Sequence, residues 1–416
     1  MRYSIPLTLC LTLMSLIASC EKNPTERSSP EPLRELTAVE KQLTQVDNTF
    51  GLQLFRQLVA LNPSANIFIS PLSVALALGM AYNGSDGTTR EAMRSTLQYG
   101  NLDDLAINEA YRTLSDLLRT ADSKVQFEIA NSIWYRTGFS VLETFINLNR
   151  TYFDAEVSEL NFSLPNAADI INDWVKTKTH DKIPDIIQPP IDQRTVMYLI
   201  NAIYFKAIWT NAFDPDETVD DVFYQSNGST SACRMMRHRC EHGYYQTEKF
   251  TAVDLAYGDA GFSLTAILPA NGINLDSLIA QLTAPVWSSM TANFVQTDMN
   301  LFLPKFKLSY REILNNVLCS LGMGVAFAPG TANFHKINPN ADLFISAVLH
   351  KSFIDVNEEG TEAAAVTAIV LGVTSNTGDP MPVTVVFNRP FVFAIRERYS
   401  GTILFIGKIT EPIIEE

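Results

Sequence analysis

Apolar positions along the chain change their spacing several times, and each change marks an element. From Thr37 they recur every three to four residues, at Val39, Leu43, Val46, Phe50, Leu54 and Leu58. That spacing predicts an amphipathic helix, which Asn62-Pro63 closes. "NIFISPLSVALALGMAYNGS" (66–85) reads as a short strand, a Ser-Pro helix start and a helix apolar on every side, hence buried. Two surface helices are expected within 88–120. "VQFEIANSIWYRT" alternates like a strand, "AADIINDWVKTKTHDKI" returns to helical spacing, and "TVMYLINAIYFKAIW" (195–209) is a long buried strand. Residues 222–307 read as mostly strand, with turns at Asn227-Gly228, Gly258 and Asn271-Gly272 and one helix near 274–284. A helix follows over 310–321, and "VTVVF", "FVFAIRER" and "TILFIGKIT" close the chain as strands. No repeat, long linker or break in composition occurs after residue 37. The simplest reading is one large mixed α and β domain over 38–416.

The first twenty residues follow a different rule. "MRYSIPLTLCLTLMSLIASC" carries one basic residue, Arg2, and then an apolar run from Ile5 to Ile17, too short for a stable membrane span and laid out like a secretory signal. It ends Ile17-Ala18-Ser19-Cys20, where small residues would let a signal peptidase reach the backbone and the Cys20 thiol would receive lipid. "EKNPTERSSPEPLRE" then reads as a polar, proline-bearing tether. The expectation is a bacterial lipoprotein: signal 1–19, lipidated tether 20–37, and a domain held at the cell envelope, on its periplasmic or surface side.

Charge narrows the partners. A net charge of −14 argues against nucleic acid or an anionic membrane surface, which select for basic patches. Five cysteines do not make a disulfide framework in 416 residues. "CRMMRHRCEH" brings Cys233, His238, Cys240 and His242 together in sequence, but the spacing matches no zinc pattern and its arginines would repel a cation. Cys233 and Cys240 are left as a disulfide or as free thiols, and Cys319, within "ILNNVLCSLGM", is expected in the core. No G-x-S-x-G, H-E-x-x-H, Walker loop or G-x-G-x-x-G is present, so no catalytic residues, metal or cofactor are assigned.

Four long blocks carry a family resemblance: "NIFISPLSVALALGMAYNGSDGTTREAM", "TVMYLINAIYFKAIWTNAFDPDETVDDVF", "HKSFIDVNEEGTEAAAVTA" and "FNRPFVFAIRERYSGTILFIGKITEP". Their order and spacing resemble the serpins, from about residue 38 to Pro412. The resemblance implies the serpin fold, mixed α and β, with three β-sheets, eight or nine helices and an exposed reactive-centre loop. It also implies a protease inhibitor rather than an enzyme, working as a monomer. In that family a target protease is trapped as its acyl-enzyme when the cut loop inserts into the large sheet as a new strand.

The segment "NEEGTEAAAVTAIVLGVTSNTGDP" suits such an insertion. After Glu362, sixteen residues, 363–378, carry no charge. Alternate positions Thr361, Ala363, Ala365, Thr367, Ile369 and Leu371 would share one face of a strand, and Ala364, Val366, Ala368 and Val370 the other. The resemblance places the hinge at Glu358, Gly360, Thr361, Ala363, Ala364 and Ala365. It places the reactive bond at Thr374-Ser375, with Val373-Thr374 as the alternative because the segment from Ser375 to Phe387 is about five residues longer than in antitrypsin. It further implies a polar shutter of Ser70, Ser73, Asn201 and His350, and an ion pair of Lys305 with Glu358 beside Trp209. No Arg or Lys lies between Lys351 and Arg389, so elastase-like or subtilisin-like serine proteases are the expected partners, with papain-like cysteine proteases next. A non-inhibitory binding or chaperone-like serpin is the competing expectation.

Overall fold

The computed structural model describes residues 34–362 and 381–413. The helices and strands run α1 (Ala38–Leu61), β1 (Ile67–Ile69), α2 (Pro71–Gly84), α3 (Gly87–Thr96), α4 (Asp104–Thr120), β2 (Val125–Arg136), α5 (Glu143–Phe153), β3 (Ala155–Leu160), α6 (Ala167–Lys178) and β4 (Met197–Ile208). Next come β5 (Val219–Tyr224), β6 (Thr230–Gln246), β7 (Phe250–Tyr257), β8 (Phe262–Pro269), α7 (Leu275–Gln281), α8 (Ala284–Ala292), β9 (Val295–Pro304) and β10 (Phe306–Ile313). The last are α9 (Asn315–Leu318), β11 (Leu349–Val356), β12 (Gly360–Thr361), β13 (Val383–Val386), β14 (Phe391–Glu397) and β15 (Ile403–Ile409). These elements belong to the compact unit Glu35–Glu416; the signal, Cys20 and most of the tether fall outside the described residues.

Local chemistry explains most boundaries. Thr37 opens α1 with a capping box: its hydroxyl accepts from Glu40 N–H at 3.2 Å and its own N–H donates to the Glu40 carboxylate at 2.7 Å. Ser70 caps α2 and Pro71 occupies its first turn. That helix is apolar all round because it touches β4 of one sheet and β15 of the other. The helix expected near 274–284 is two helices, since Thr283 and Pro285 start α8 immediately after Leu282 ends α7. The helix expected over 310–321 begins only at Asn315, because residues up to Ile313 pair with β11.

One sheet has the order β10-β11-β12-β4-β2-β3. The other strands trace the path β1-β15-β14-β8-β7-β6-β9-β13, with β5 on β6. The long strand β6 joins two parts of that path: residues 230–244 pair with β5 or β9, while 243–246 pair with β7. The part β13-β9-β6-β5 is the third sheet of the expected fold. Nine α-helices accompany these sheets among the described residues. The main core lies between the sheets and under α1–α5, and a second core, including Trp134, Ile171, Val175, Ile187 and Ile200, seats α6 on the outer face of the six-stranded sheet.

Candidate functional site

The six-stranded sheet is regular on both sides of one seam. β10 and β11 pair along their full lengths, from Phe306↔Val356 to Ile313↔Leu349. β2 and β4 pair from Val125↔Ala207 to Tyr135↔Met197. Between β11 and β4, however, the described residues supply only β12. Thr361 pairs with Val356 on one side and Ala207 on the other, and Gly360 pairs with Ile208. Among the described residues β4 and β11 share no ladder with each other. Long strand edges leave backbone donors and acceptors without sheet partners unless another strand fills the space.

The head of this seam is tightly built. Asn357 closes a turn: its side-chain oxygen accepts from Glu359 N–H (3.0 Å) and Gly360 N–H (3.2 Å), and its own N–H donates to Gly360 O at 3.0 Å. Trp209 donates its backbone N–H to Glu359 O (2.8 Å) and its indole N–H to Asn357 O (2.9 Å). Gly360 is required by close approach, since a Cβ there would lie 2.0 Å from the Ala207 carbonyl oxygen. Thr361 is 2% exposed and its hydroxyl bonds Tyr257 OH at 2.6 Å. Tyr257 in turn stacks on Trp209 with ring centroids 4.3 Å apart.

The expected ion pair is present. Lys305 Nζ lies 2.7 Å from Glu358 Oε2, and Thr218 donates to Glu358 Oε1 at 2.7 Å. The Glu358 side chain is 9% exposed, so this is a half-desolvated pair rather than a surface one. Burial pushes its carboxyl upward, but hydrogen bonds from Lys305 and Thr218 outweigh burial and hold it below the ordinary range. Phe213 N–H caps Glu358 O at 2.9 Å, and the Phe213 ring stacks on His238 at 4.0 Å. His238 and His242 share a hydrogen bond, Nε2 to Nε2, at 2.7 Å. Burial, then the neighbouring ring, pushes His242 down to about 3.

Lower in the seam, Ser70, Ser73, Asn201 and His350 come together. Ser70 N–H donates to His350 Nε2 at 3.2 Å, and the Ser70 hydroxyl donates to Leu404 O at 2.7 Å while accepting from Ser73 N–H. Ser73 OH reaches Asn201 O at 3.4 Å. Burial pushes His350 down to about 4, so it is neutral and accepts from Ser70. Sequence reasoning missed Asn131, which accepts from Asn201 at 2.8 Å, and Ser352, which donates to Phe68 O at 2.5 Å. It also missed Tyr257, Thr218, Phe213 and Asn357. Only Asn357 had a local signal, an Asx-type turn before Gly360.

A strap, residues 179–196 between α6 and β4, crosses the outer face. Asn172 of α6 holds it at Ile186 and Ile187 through bonds of 2.8 and 2.9 Å. Asp185 on the strap is ion-paired with Lys351 of β11 and, at 3.5 Å, with Arg311 of β10. These bonds anchor the strap on both sides of the seam.

Several expected residues fall elsewhere. Ala363, Ala364 and Ala365 of the hinge and Val373, Thr374 and Ser375 at the reactive bond lie outside the described residues, as does Cys20. Cys233 and Cys240 are free thiols. They sit seven positions apart on β6, roughly 23 Å at the rise of an extended strand, so the disulfide alternative is overturned. Cys319 is exposed, not in the core: the chain kinks at Gly322 (φ +110°), and Val317, Leu318 and Met323 take the inward positions. Among the described residues no group of three or more His, Cys, Asp or Glu could hold a metal ion.

The family description "Serpin (serine protease inhibitor)" matches residues 45–412. The chain is a serpin. Iripin-2 of Ixodes ricinus is 33% identical over 89% of this chain and 94% of its own length. Intracellular coagulation inhibitor 1 of Tachypleus tridentatus is 32% identical, covering 97% of each chain. Among solved structures, the thermophilic serpin tengpin in its native state superimposes with a TM-score of 0.80 at 32% identity, over 92% of this chain and 97% of that one. Thyroxine-binding globulin in complex with thyroxine gives 0.80 at 26% identity, over 90% and 100%. Members of this serpin family are generally protease inhibitors, not catalysts.

Proposed function

We propose that this serpin is a suicide-substrate inhibitor of serine proteases of the elastase-like or subtilisin-like type. The observation that carries this reading is the seam. Two long strands share no ladder among the described residues, a two-residue strand begins between them, and the sequence continuing from it has no charge for sixteen residues. The protease serine attacks the carbonyl of Thr374, or alternatively Val373, and the peptide bond breaks to leave an ester and a free amine. The freed arm then extends β12 between β4 and β11. If roughly a dozen backbone bonds form at ~1 kcal/mol net each, insertion releases on the order of 10 kcal/mol. The uncut form is therefore kinetically trapped.

The small, uncharged residue before the bond, Thr374 or Val373, with uncharged Leu371 and Gly372 upstream, suits a shallow apolar specificity pocket. We further propose lipid attachment at Cys20, which would display the inhibitor at a bacterial envelope; labelling with a radioactive fatty acid, lost in Cys20→Ala, tests it. Incubation with pancreatic elastase and with subtilisin should give a covalent band stable in SDS and release a C-terminal fragment beginning at Ser375 or Thr374. A second reading, a binding module, is favoured by the likeness to thyroxine-binding globulin complexed with thyroxine. Clean cleavage without any adduct would support that reading and reject inhibition.

A further inference from the structure

Glu362, beside the hinge threonine, is a charge that the insertion account leaves without a role. Its backbone is left-handed, φ +56°, a conformation unfavourable for a non-glycine residue. Its side chain is nonetheless 4% exposed. Among the described residues one carboxyl oxygen, Oε2, has no hydrogen-bond partner. The cavity it lines takes in Lys182, Tyr204 and Phe353 together with main-core residues such as Phe68, Phe205 and Phe405.

The charged and titratable groups facing it come from every element around the seam. From the strap, Lys182 Nζ stands 3.8 Å from Oε2 and 5.0 Å from the centre of the Phe353 ring. From β4, Tyr204 hydrogen-bonds the carboxyl and Lys206 favours its charge. From β11, Asp355 opposes that charge, and Asp355 is itself opposite Lys307 of β10. Behind Tyr204, the ring of His180 lies 4.2 Å from the phenol ring, with His180 Nε2 3.1 Å from Glu128 of β2. The one ion pair printed for the carboxylate, with Lys182, is a long one, and Asp355 works against it.

We propose that Glu362 makes seating of the hinge proton-dependent: the neutral acid occupies the seam, and loss of its proton favours withdrawal of residues 360–362 from the sheet. Burial outweighs Lys182 and Tyr204 and pushes the seated carboxyl from 4.5 up to about 7. A withdrawn, solvated carboxyl returns to the ordinary value. The seated state therefore holds the proton more tightly. Seating is fully favoured below about pH 4.5, weakens about tenfold per pH unit up to about pH 7, and is level above that. Acid thus drives the hinge into the sheet. This device needs only the hinge geometry and no protease, so it stands or falls separately from the inhibition reading.

Amide hydrogen exchange on the intact chain between pH 5 and pH 8, corrected for the intrinsic rate, tests it, with the β2–β4 ladder as internal reference. Protection at residues 357–362 should fall about fortyfold from pH 5 to pH 7 while the reference stays constant. Glu362→Gln should hold protection at the acid level throughout. Lys182→Met, which removes the nearby cation and leaves the carboxyl, should move the midpoint upward. A flat wild-type profile, or an unchanged slope in Glu362→Gln, overturns the proposal. A slope that survives Glu362→Gln but disappears in His180→Asn assigns the titration to His180 and also overturns it.

Discussion

β14 and β15 are buried at every residue, and β14 is paired along its length with β15 on one side and β8 on the other. Among the described residues the seam between β4 and β11 holds two paired residues, between strands of twelve and eight. It is lined by polar groups, among them a neutral buried histidine and an asparagine oxygen, Asn201 Oδ1, without a partner. Both regions belong to one cooperative domain, yet one is complete and the other is one strand short among the described residues. Under the proposed mechanism the free energy of completing a ladder there is collected by the segment that continues from β12.

Changes at the head of the seam should break this contrast most severely. Thr361→Arg would bring an unpaired charge into a buried slot, at a cost above ~3 kcal/mol. Stable protease complex should fall more than about a hundredfold, with cleavage continuing, as measured by densitometry of adduct against cut inhibitor. Gly360→Val should prevent seating of β12, because of the Ala207 carbonyl, and cost about 2–3 kcal/mol; loss of protection at residues 357–361 would show it. The β14–β15 ladder should be untouched by either change.

Acid should act next. His242 is held at about 3 and His350 at about 4, both below the ordinary 6.5, so the unfolded chain takes up protons first as pH falls below 6.5. Each should lose about 2 kcal/mol of stabilisation by pH 5, and the loss continues until pH reaches the folded value. Denaturant midpoints between pH 7.5 and 5 would measure this, and His242→Gln should flatten part of the slope. The smallest effect belongs to the ion pair. Lys305→Met should cost about 1–2 kcal/mol near neutrality. The Glu358 carboxyl is held below its ordinary value, so its contribution is present above pH 4.5 and lost below.

The periodicity was sufficient for α1, α2, β2 and β4, because each has a single apolar pattern and a chemical cap or turn at its end. Ser70, Ser73, Asn201 and His350 could be named because they lie within long recognisable blocks. Asn131, the partner of Asn201, could not, since nothing local distinguishes an asparagine facing another strand from one facing water. Cys319 was misplaced for a similar reason: "ILNNVLCSLGM" is apolar in composition, but the kink at Gly322 decides which side faces in. The burial of Glu362 was invisible, because it depends on a left-handed backbone at one residue of a segment that alternates cleanly on paper.

Thermal unfolding of the full chain before and after a single cut beyond Glu362 probes the seam most directly. At on the order of 10 kcal/mol from a completed ladder, the cut protein should melt roughly 12 °C higher than the intact one. A cut protein that melts at the same temperature or lower would mean that no strand enters between β4 and β11.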